Sequence, residues 1–365
     1  MKVAWFRRVW ERKGIWGATI CGLLSPFSHL YALAVRIRNA FFSRGWIRAR
    51  ALDRPVISIG NLTVGGTGKT PICLWLAQEL TRRGFKVAIL SRGYLRKETL
   101  PVIMAAGTNG LPPAELRDEV ARAGDEPSMM AQIYGQTVGV GKNRYQTGLE
   151  LLRQQDVDVF ILDDGYQHRR LNRDVDLLLL GDDSNGRTLP SGPFREPRRA
   201  LRRADYFLLT GAAEEWRALL PAGGESRCFT GSLRSVALIG LEGGRWKEYP
   251  LSLLYRSKIL AVSGIADPSG FYRMIGEWDG DIVDALQYPD HHAYTSQDWQ
   301  EISRRARNVE LVLTTEKDIL KLIAFPFARR KLFALRVAMT VEAGERLVQS
   351  IVEKIRDHRT RPRPA

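Results

Sequence analysis

The residues of this chain best suited to chemistry are Gly68-Lys69-Thr70, within the run GNLTVGGTGKTP. A β-branched segment at 55–59 precedes a glycine-rich loop, and an apolar-periodic helix is predicted from Pro71 onwards. A strand, a glycine loop and a helix in that order are typical of a phosphate-binding loop, where backbone N–H groups converge on phosphate oxygens. The lysine supplies positive charge for the β- and γ-phosphates, and the threonine hydroxyl is placed for Mg²⁺. The sequence therefore predicts a nucleotide-binding protein.

The loop departs from the strict pattern G-x-x-x-x-G-K-[ST] at one position, because Thr63 stands where the first glycine is required. The alternative is a glycine turn before a helix that contains GKT by chance. The flanking strand and helix favour the phosphate loop. Its predicted nucleotide-binding residues are Thr63, Gly65, Gly66, Thr67, Gly68, Lys69 and Thr70.

A second nucleotide signature is the apolar run VDVFIL at 157–162, which ends at Asp163 and Asp164. Carboxylates at the end of a buried strand bind the Mg²⁺ that bridges the phosphates, directly or through water. The alternative is a pair of solvated carboxylates after a strand. The dense polar run that follows, DDGYQHRR, favours a site, and we predict Thr70, Asp163 and Asp164 as metal-binding residues.

Two further segments offer an acid and an imidazole. Asp125 in GDEP is a candidate general base that orients and deprotonates an attacking hydroxyl, although a helix N-cap explains it equally well. His291 and His292 lie in YPDHHAYT, and no third ligand with convincing spacing supports zinc. An acid–imidazole pair that assists a base is the favoured interpretation. TTEKD at 314–318 is read either as a polar strand end or as an ordinary helix start.

The net charge of +15 over 365 residues is concentrated in residues 1–50, which hold ten Lys or Arg and one acid, Glu11. A nucleic-acid-binding protein would spread its basic residues over a folded face, so nucleic acid is not an expected partner. Cys21, Cys73 and Cys228 are far apart, which fits a reducing compartment.

Residues 14–35 contain no Asp, Glu, Lys or Arg, a length that suits a bilayer core of about 30 Å. Arginines and aromatic residues flank the segment, and Pro26 lies near its middle. We predict a helix, intact or broken near Pro26, embedded in the inner face of a membrane and held by anionic headgroups. The alternative is a buried core helix. In either case the catalytic part is expected in the cytoplasm, where ATP is.

The predicted fold class is α/β: a P-loop NTPase-like parallel sheet domain, a second smaller α/β domain and an N-terminal hydrophobic membrane-associated helix. Parallel strands are expected near 85–90, 157–162, 175–180 and 206–210, with a connection at 181–197 too polar to be core. The predicted divisions are a membrane-associated segment 1–45, a kinase domain 46–210, a linker with short strands 211–255, a second α/β domain 256–355 and a frayed basic tail 356–365.

Taken in order, GNLTVGGTGKTP, SRGY, GDEP, DDGYQHRRL, LPSGPFREP and YPDHHAYT resemble the tetraacyldisaccharide 4′-kinases of lipid A biosynthesis. The resemblance covers nearly the whole chain, and a loop without the first glycine is part of that family's pattern. It implies transfer of the ATP γ-phosphate to the 4′-hydroxyl of a tetraacylated glucosamine disaccharide 1-phosphate. It also implies two α/β/α domains joined by a β-stranded linker, at the cytoplasmic face of the bacterial inner membrane.

The resemblance further implies roles for individual residues. Lys69 is a phosphate-loop and catalytic residue, and Asp125 is the catalytic carboxylate with His291 as its partner from the second domain. Asn61 and Gln167 join the nucleotide site. Positions near the nucleotide or the lipid headgroup are Ser91, Arg92, Tyr94 and Glu196.

The mechanism that we expect has Asp125, oriented and made more basic by His291, accept the proton of the 4′-hydroxyl. Lys69 and Mg²⁺ neutralise charge on the transferring phosphoryl group. ATP binding or domain closure is expected to assemble the site, and the protein is expected to be a monomer that meets the lipid A disaccharide precursor at the membrane surface. The rival interpretations are a P-loop kinase of a soluble metabolite and a membrane-bound NTPase that is not a kinase.

Overall fold

The computed structural model describes Trp10 and residues 14–65, 68–94, 96, 98–107, 112–327 and 331–360. Contacts within the chain divide it into two compact units. Unit 1 comprises Met1–Arg92, Asn143–Ser232 and Met339–Ala365, and unit 2 comprises Gly93–Lys142 and Leu233–Ala338. Residues 93–142, which we predicted to belong with the phosphate loop, are grouped with unit 2, and residues from 339 onwards are grouped with unit 1.

The described chain alternates strands and helices, so the α/β class expected from the sequence is confirmed. The strands are β1 (Val56–Asn61), β2 (Val87–Ser91), β3 (Val102–Met104), β4 (Thr137–Val140), β5 (Val159–Leu162), β6 (Val175–Leu180), β7 (Tyr206–Leu209), β8 (Cys228–Glu242), β9 (Arg245–Tyr249), β10 (Lys258–Ser263), β11 (Asp281–Gln287), β12 (Leu311–Thr315) and β13 (Leu332–Val341). The α-helices are α1 (Gly14–Ser43), α2 (Lys69–Arg82), α3 (Pro113–Ala123), α4 (Asp125–Gln132), α5 (Arg144–Gln154), α6 (Ala213–Arg217), α7 (Ser269–Gly276), α8 (Ser296–Arg305), α9 (Glu316–Leu322) and α10 (Gly344–Thr360).

Several elements differ from the sequence-based expectation. Residues 211–255 were predicted to hold short strands, but they contain the fifteen-residue strand β8. Strand β3 and helix α10 were not predicted. The tail was expected to be frayed from Arg356, yet α10 continues to Thr360. Its buried apolar residues, among them Leu347, Ile351 and Ile355, recur at helical spacing, so packing stabilises this end of the chain.

Unit 1 is built on a parallel sheet with the strand order β8-β7-β6-β1-β5-β2. Strands β1, β5, β6 and β7 are buried along their whole length. Continuous apolar runs such as VDLLLL in β6 explain this burial, because parallel strands are covered on both faces. The carboxyl ends of β1, β5 and β2 therefore meet at one edge, where open α/β sheets bind ligands.

Unit 2 contains a second parallel arrangement with the strand order β11-β10-β12-β13. Strand β9 pairs antiparallel with the end of β8, and β3 pairs antiparallel with β4. In the core of unit 2, strand residues such as Ile259, Leu313 and Phe333 pack against Phe271 and Ile275 of α7. Helix α9 begins at Glu316, directly after β12, so it starts at the carboxyl end of that strand.

Helix α1 runs without interruption through Pro26 and ends at Ser43, so of the two predicted forms, intact or broken near Pro26, the structure has the intact helix. Its length and composition would allow it to cross a membrane, and only 17% of its most apolar window is buried. One face packs on unit 1 through Cys21, Ser28 and Val35, which are buried. The helix is thus only partly covered by protein, and the alternative of a buried core helix is not supported.

The connection at 181–197, expected to be too polar for the core, is partly buried because α1 packs against it. The hydroxyls of Ser28 and Ser191 are 2.7 Å apart, and the Thr188 hydroxyl donates to the Ser28 carbonyl at 3.1 Å. Tyr31 donates to the Arg195 carbonyl at 2.9 Å. These polar contacts anchor α1 to unit 1.

Near the end of β1, the backbone of Gly60 lies very close to Tyr166. A Cβ on Gly60 would lie 2.7 Å from the Cβ of Tyr166 and 2.8 Å from its backbone nitrogen. We expect Gly60→Ala to lower the free energy of unfolding by about 1–3 kcal/mol, because neither neighbour is the end of a flexible side chain. Thermal unfolding of the whole protein measures the change in melting temperature, and hydrogen exchange of the backbone amides shows whether unit 1 is affected.

Gly270→Ala is the matched control, since a Cβ at Gly270 meets nothing within 4 Å. An unchanged melting temperature in Gly60→Ala would contradict the close approach.

Candidate functional site

The loop that follows β1 is shaped by glycines in the left-handed region of backbone space. Gly65 has φ of 119° and Gly68 has φ of 81°, values that glycine adopts far more readily than other residues. Helix α2 begins at Lys69, two residues before its predicted start. The amides of Lys69 and Thr70 therefore belong to the first helical turn, where they have no acceptor within the helix and can meet an anion. The two predicted loop residues that lie outside the described residues are Gly66 and Thr67.

The ammonium of Lys69 lies among oxygen atoms at the carboxyl edge of the unit 1 sheet. Its Nζ is 3.2 Å from the carbonyl of Gly65 and 3.4 Å from Oδ1 of Asn61. Oδ1 of Asp164 is 3.7 Å away. The structure thus places the predicted loop lysine beside one of the two acids that follow β5, about 95 residues later in the chain.

The two acids after β5 have different environments. Asp163 is buried, and the thiol of Cys73 is 3.5 Å from its Oδ1. Asp164 is less covered and has a positive φ of 48°, which is uncommon outside glycine. Burial raises the pKa of Asp164, but Arg195 and Lys69 outweigh burial and lower it below its usual value. Asp164 is therefore held as a carboxylate.

Arg195 is a site residue that the sequence analysis missed. Its guanidinium binds both oxygens of Asp164, at 2.9 and 3.0 Å, and also contacts Oδ1 of Asn61. Its Nε donates to the Thr63 carbonyl at 3.1 Å. The signal was present in LPSGPFREP, where only the next residue, Glu196, was assigned a role. Arg195 joins the connection at 181–197 to the loop and to the acids.

A second missed cation is Arg144, at the start of α5. It is buried, and its charge acts on both Asp163 and Asp164; burial lowers its pKa to about 10. His168 lies among arginines as well, and burial, followed by the charges of Arg144 and other arginines, lowers its pKa to about 4. His168 is thus neutral near pH 7, while the acids of the site are surrounded by permanent positive charge.

The predicted nucleotide-site residues Asn61, Thr63 and Gln167 are brought together. Asn61 and Thr63 are buried, and the amide of Asn61 lies 3.5 Å from the Thr63 hydroxyl. The amide of Gln167 donates to the Asn61 carbonyl at 2.9 Å. These contacts fix the loop after β1 against the turn after β5.

Glu196, predicted to lie near substrate, is fully buried in a charge cluster that binds α1. It accepts from Arg203 at 2.7 and 3.1 Å and from the amide of Asn39 at 2.6 Å. Arg38 lies 3.9 Å away. In the described structure Glu196 connects α1 to unit 1, and its contact with substrate stays a prediction.

The remaining predicted substrate residues lie at and after the end of β2. Ser91 is buried and Arg92 follows it in unit 1. Tyr94 belongs to unit 2, is mostly exposed, and has its ring centroid 5.6 Å from that of His291. Their roles toward substrate stay predictions.

Within unit 2, Asp125 and His291 form a pair. Asp125 is the first residue of α4, directly after Gly124, and its Oδ2 is 3.3 Å from Nδ1 of His291. His291 has φ of 59°, and its backbone N–H donates to the Gly264 carbonyl. His292 instead lies 3.0 Å from Asp298 and stacks on Tyr288. The structure therefore brings His291, not His292, to Asp125, and does so inside one compact unit rather than from two domains.

The expectation that His291 makes Asp125 more basic is wrong. Burial raises the pKa of Asp125, but the hydrogen bond from His291 and the charge of Lys321 outweigh it, so the net pKa is lowered. Asp125 in turn raises the pKa of His291 through the same hydrogen bond, against the effect of burial. Each group stabilises the charged form of the other. The pair is therefore a fixed carboxylate with an imidazole that holds a proton more tightly than usual.

Lys321 of α9 was also missed by the sequence analysis. Its Nζ is 2.9 Å from Oδ2 of Asp125. It comes three residues after the TTEKD segment, which was read either as a polar strand end or as an ordinary helix start. The structure shows a helix that begins there at Glu316 and carries Lys321 on the face that contacts Asp125.

The coupling of Asp125 and His291 can be tested by titration. We expect Asp125→Asn to lower the pKa of His291, because the hydrogen bond with the Asp125 carboxylate is the largest effect that raises this pKa, while burial, which lowers it, remains. NMR titration of the histidine ring protons measures this change. The matched control is Asp298→Asn, which alters the partner of His292 and should leave the His291 titration unchanged. An unchanged His291 titration in Asp125→Asn would contradict the pairing.

Comparison with known proteins identifies the family of this chain. A family profile described as tetraacyldisaccharide-1-P 4′-kinase matches residues 20–356. A tetraacyldisaccharide 4′-kinase of Syntrophus aciditrophicus is 37% identical, covering 96% of this chain and 98% of its own. That of Geobacter sulfurreducens is 41% identical, covering 81% and 82%.

A crystal structure of LpxK from Aquifex aeolicus in complex with ATP is similar in three dimensions. It has a TM-score of 0.76 and 33% identity, and the match covers 92% of this chain and 99% of that one. The match of the family profile to most of the chain, together with relatives above 30% identity, leads to one conclusion: this chain belongs to the tetraacyldisaccharide-1-phosphate 4′-kinase family.

Proposed function

We propose that this protein transfers the γ-phosphate of ATP to the 4′-hydroxyl of tetraacyldisaccharide 1-phosphate, a step of lipid A biosynthesis. The observation that carries the proposal is the position of the Lys69 ammonium, 3.7 Å from Asp164 at the carboxyl edge of the parallel sheet. A phosphoryl group at such a position meets a lysine, free helix amides and carboxylates. Membership of the kinase family supports the same reaction.

The loop from Leu62 to Gly68 acts as a P-loop in this proposal. The amides at the start of α2 bind phosphate oxygens, and the Lys69 ammonium neutralises charge on the β- and γ-phosphates. Asn61 and Gln167 hold the loop in shape through the contact between the Gln167 amide and the Asn61 carbonyl. Arginine and lysine charges around the acids make this edge attractive to a triphosphate.

The residues predicted to bind magnesium suit that ion. Thr70, Asp163 and Asp164 offer a hydroxyl and carboxylates, the hard oxygen donors that Mg²⁺ prefers together with phosphate oxygens and water. When bound, Mg²⁺ supplies charge that neutralises the bridged phosphates. Arg195 occupies both oxygens of Asp164, so this carboxylate is already oriented and ionised.

Asp125 is the proposed base toward the acceptor hydroxyl. The transition state of phosphoryl transfer is loose, so catalysis depends more on the orientation of the acceptor hydroxyl than on the strength of the base. The lowered pKa of Asp125 keeps it deprotonated at neutral pH, and His291 fixes its rotation. Ser91, Arg92, Tyr94 and Glu196 remain proposed contacts of the substrate.

We also propose that α1 lies in the cytoplasmic face of the bacterial inner membrane. Large apolar residues are exposed along one stripe of the helix, with exposed fractions of 71% for Leu23, 62% for Phe27 and 66% for Leu30. The opposite face is tied to unit 1 through Ser28 and Asn39. A substrate with four acyl chains leaves a bilayer only at about 0.8 kcal/mol per exposed CH₂, so the enzyme has to reach the membrane.

The activity is tested with labelled ATP and the lipid A disaccharide precursor. We expect a doubly phosphorylated disaccharide, and Asp125→Ala should lower kcat by about 10²–10⁴-fold with ATP affinity nearly unchanged. Asp298→Asn is the matched control, because it alters the acid–imidazole pair formed by His292.

Two results would contradict the proposal. Hydrolysis of ATP without transfer to the lipid would favour an NTPase that is not a kinase. A large loss of ATP binding in Asp125→Ala would make Asp125 a nucleotide-binding or structural residue.

The membrane role is tested by replacing Leu23, Phe27 and Leu30 together with serine. Because these side chains face away from unit 1, we expect weaker co-sedimentation with vesicles that contain anionic lipid while the fold is kept. The control replaces three exposed apolar residues of unit 2 with serine: Leu233, Val236 and Val283. Equal loss of binding in both variants, or none in either, would contradict a membrane-facing stripe on α1.

A further inference from the structure

One oxygen of Asp125 is bound twice. Oδ2 lies 2.9 Å from Nζ of Lys321 and 3.3 Å from Nδ1 of His291. In the described part of the chain, these are the side-chain hydrogen bonds of the carboxylate, and both go to the same oxygen. Oδ1 is left to accept from another group.

The ammonium of Lys321 also contacts a second carboxylate, that of Asp318. Its side chain is only 11% exposed, and its Nζ is 3.1 Å from Oδ1 of Asp318. The ring of Tyr294 lies 5.5 Å from the ammonium. A buried lysine between two carboxylates loses the freedom of its long side chain, so its position is well defined.

Asp318 provides the fixed end of this chain of contacts. It is fully buried, and its Oδ2 accepts from the Gly264 amide at 2.9 Å and from the Thr315 hydroxyl at 2.7 Å. These bonds come from the ends of β10 and β12. Asp318 thereby fixes the position of Lys321 relative to the sheet of unit 2, and Lys321 in turn fixes the position of Asp125.

The neighbouring lysine provides a contrast. Lys317, one turn earlier on α9, pairs with Glu126, the residue after Asp125. That pair is more exposed, at 30% and 31% of the two side chains, and neither of its members touches His291 within the described hydrogen bonds. Two lysines one helical turn apart thus bind two consecutive acids, but of the two lysines only Lys321 contacts the acid–imidazole pair.

We propose that Lys321 is a positioning residue for the Asp125–His291 pair. Lys321 holds Oδ2 of Asp125, so that Oδ1 of Asp125 is presented to the acceptor hydroxyl. The proposal rests on the proposed kinase function for its substrate, and on the geometry of unit 2 for its contacts. Lys321 does not itself touch the reacting atoms. It acts through Asp125.

Removal of the ammonium has a defined electrostatic consequence. Asp125 and Asp318 would then face each other without the cation between them, and like charges at short range favour protonation of one carboxylate. The charged and titratable groups around Asp125 are His291 and Asp290 from the loop after β11, Lys317, Asp318 and Lys321 from α9, Glu126 from α4, and Tyr94 beside His291. Lys321 is the cation of this set with direct contact to both Asp125 and Asp318.

The test compares Lys321→Met with wild type in two measurements. In the kinase assay, we expect kcat to fall on the order of 10–100-fold with the KM for ATP unchanged, because the base loses its orientation. The acidic limb of the kcat–pH profile should move to higher pH by about one unit, as the pKa of Asp125 rises. Lys321→Arg, which keeps the charge, should retain the wild-type acidic limb.

Lys317→Met is the matched control and should move the acidic limb less than Lys321→Met does, because Lys317 acts on Asp125 through its charge and without the direct contact that Lys321 makes. An unshifted acidic limb in Lys321→Met, or an equal shift in Lys317→Met, would overturn the proposal. If Lys321→Met does not fold, Lys321→Gln takes its place, and the comparison of its acidic limb with that of Lys321→Arg decides.

The second measurement separates this proposal from the kinase function. NMR titration of His291 needs no substrate. Loss of the Lys321 ammonium leaves His291 as the hydrogen-bond partner of Oδ2 of Asp125, and because this carboxylate raises the pKa of His291, we expect that pKa to rise further. If wild type lacked kinase activity but Lys321→Met raised this pKa, the reaction would be wrong while the coupling stood. An unchanged His291 titration would show that Lys321 is not coupled to the pair.

Discussion

The contact on which the proposed nucleotide site depends is that between the Lys69 ammonium and the oxygens around it. Gly65, Asn61 and Asp164 supply those oxygens from the loop after β1, the end of β1 and the turn after β5. The parallel sheet makes this possible, because the carboxyl ends of adjacent strands lie at one edge. The Lys69 ammonium approaches three oxygens at 3.2–3.7 Å, and these contacts define its position at that edge.

Two acids of unit 1, one half-buried and one fully buried, each have an arginine close by. Asp164 is bound by Arg195, and Glu196 is bound by Arg203. Burial alone would raise the pKa of either acid, and the arginine outweighs it. The same principle operates in unit 2, where His291 and Lys321 hold Asp125 as a carboxylate. Fixed ion pairs of this kind orient groups more than they strengthen them as bases.

Helix α1 separates its polar and apolar contacts by face. Ser28, Tyr31 and Asn39 use hydrogen bonds to reach the connection at 181–197, while Leu23, Phe27 and Leu30 are exposed. Through Arg195, that connection also reaches Asp164. The helix and the nucleotide site are therefore parts of one unit, built on the same loop.

The sequence by itself determined the α/β class and strands β6, β10 and β11 to the residue, and it predicted phosphate and metal chemistry for GNLTVGGTGKTP and DDGYQHRRL. It did so because glycine loops, buried apolar runs and strand-end acids are local patterns. Arg144 and Lys321 could not be found in this way, since their importance comes from partners about 20 residues and 196 residues distant in the chain. The motif LPSGPFREP pointed to the segment that holds Arg195, but the partner of this arginine, Asp164, lies about 30 residues away and was not visible from the motif. The direction of the Asp125 pKa likewise depended on which cations surround it, and only the tertiary structure fixes those distances. Helix α10 was missed because its apolar spacing was hidden among charged residues, and packing decided it.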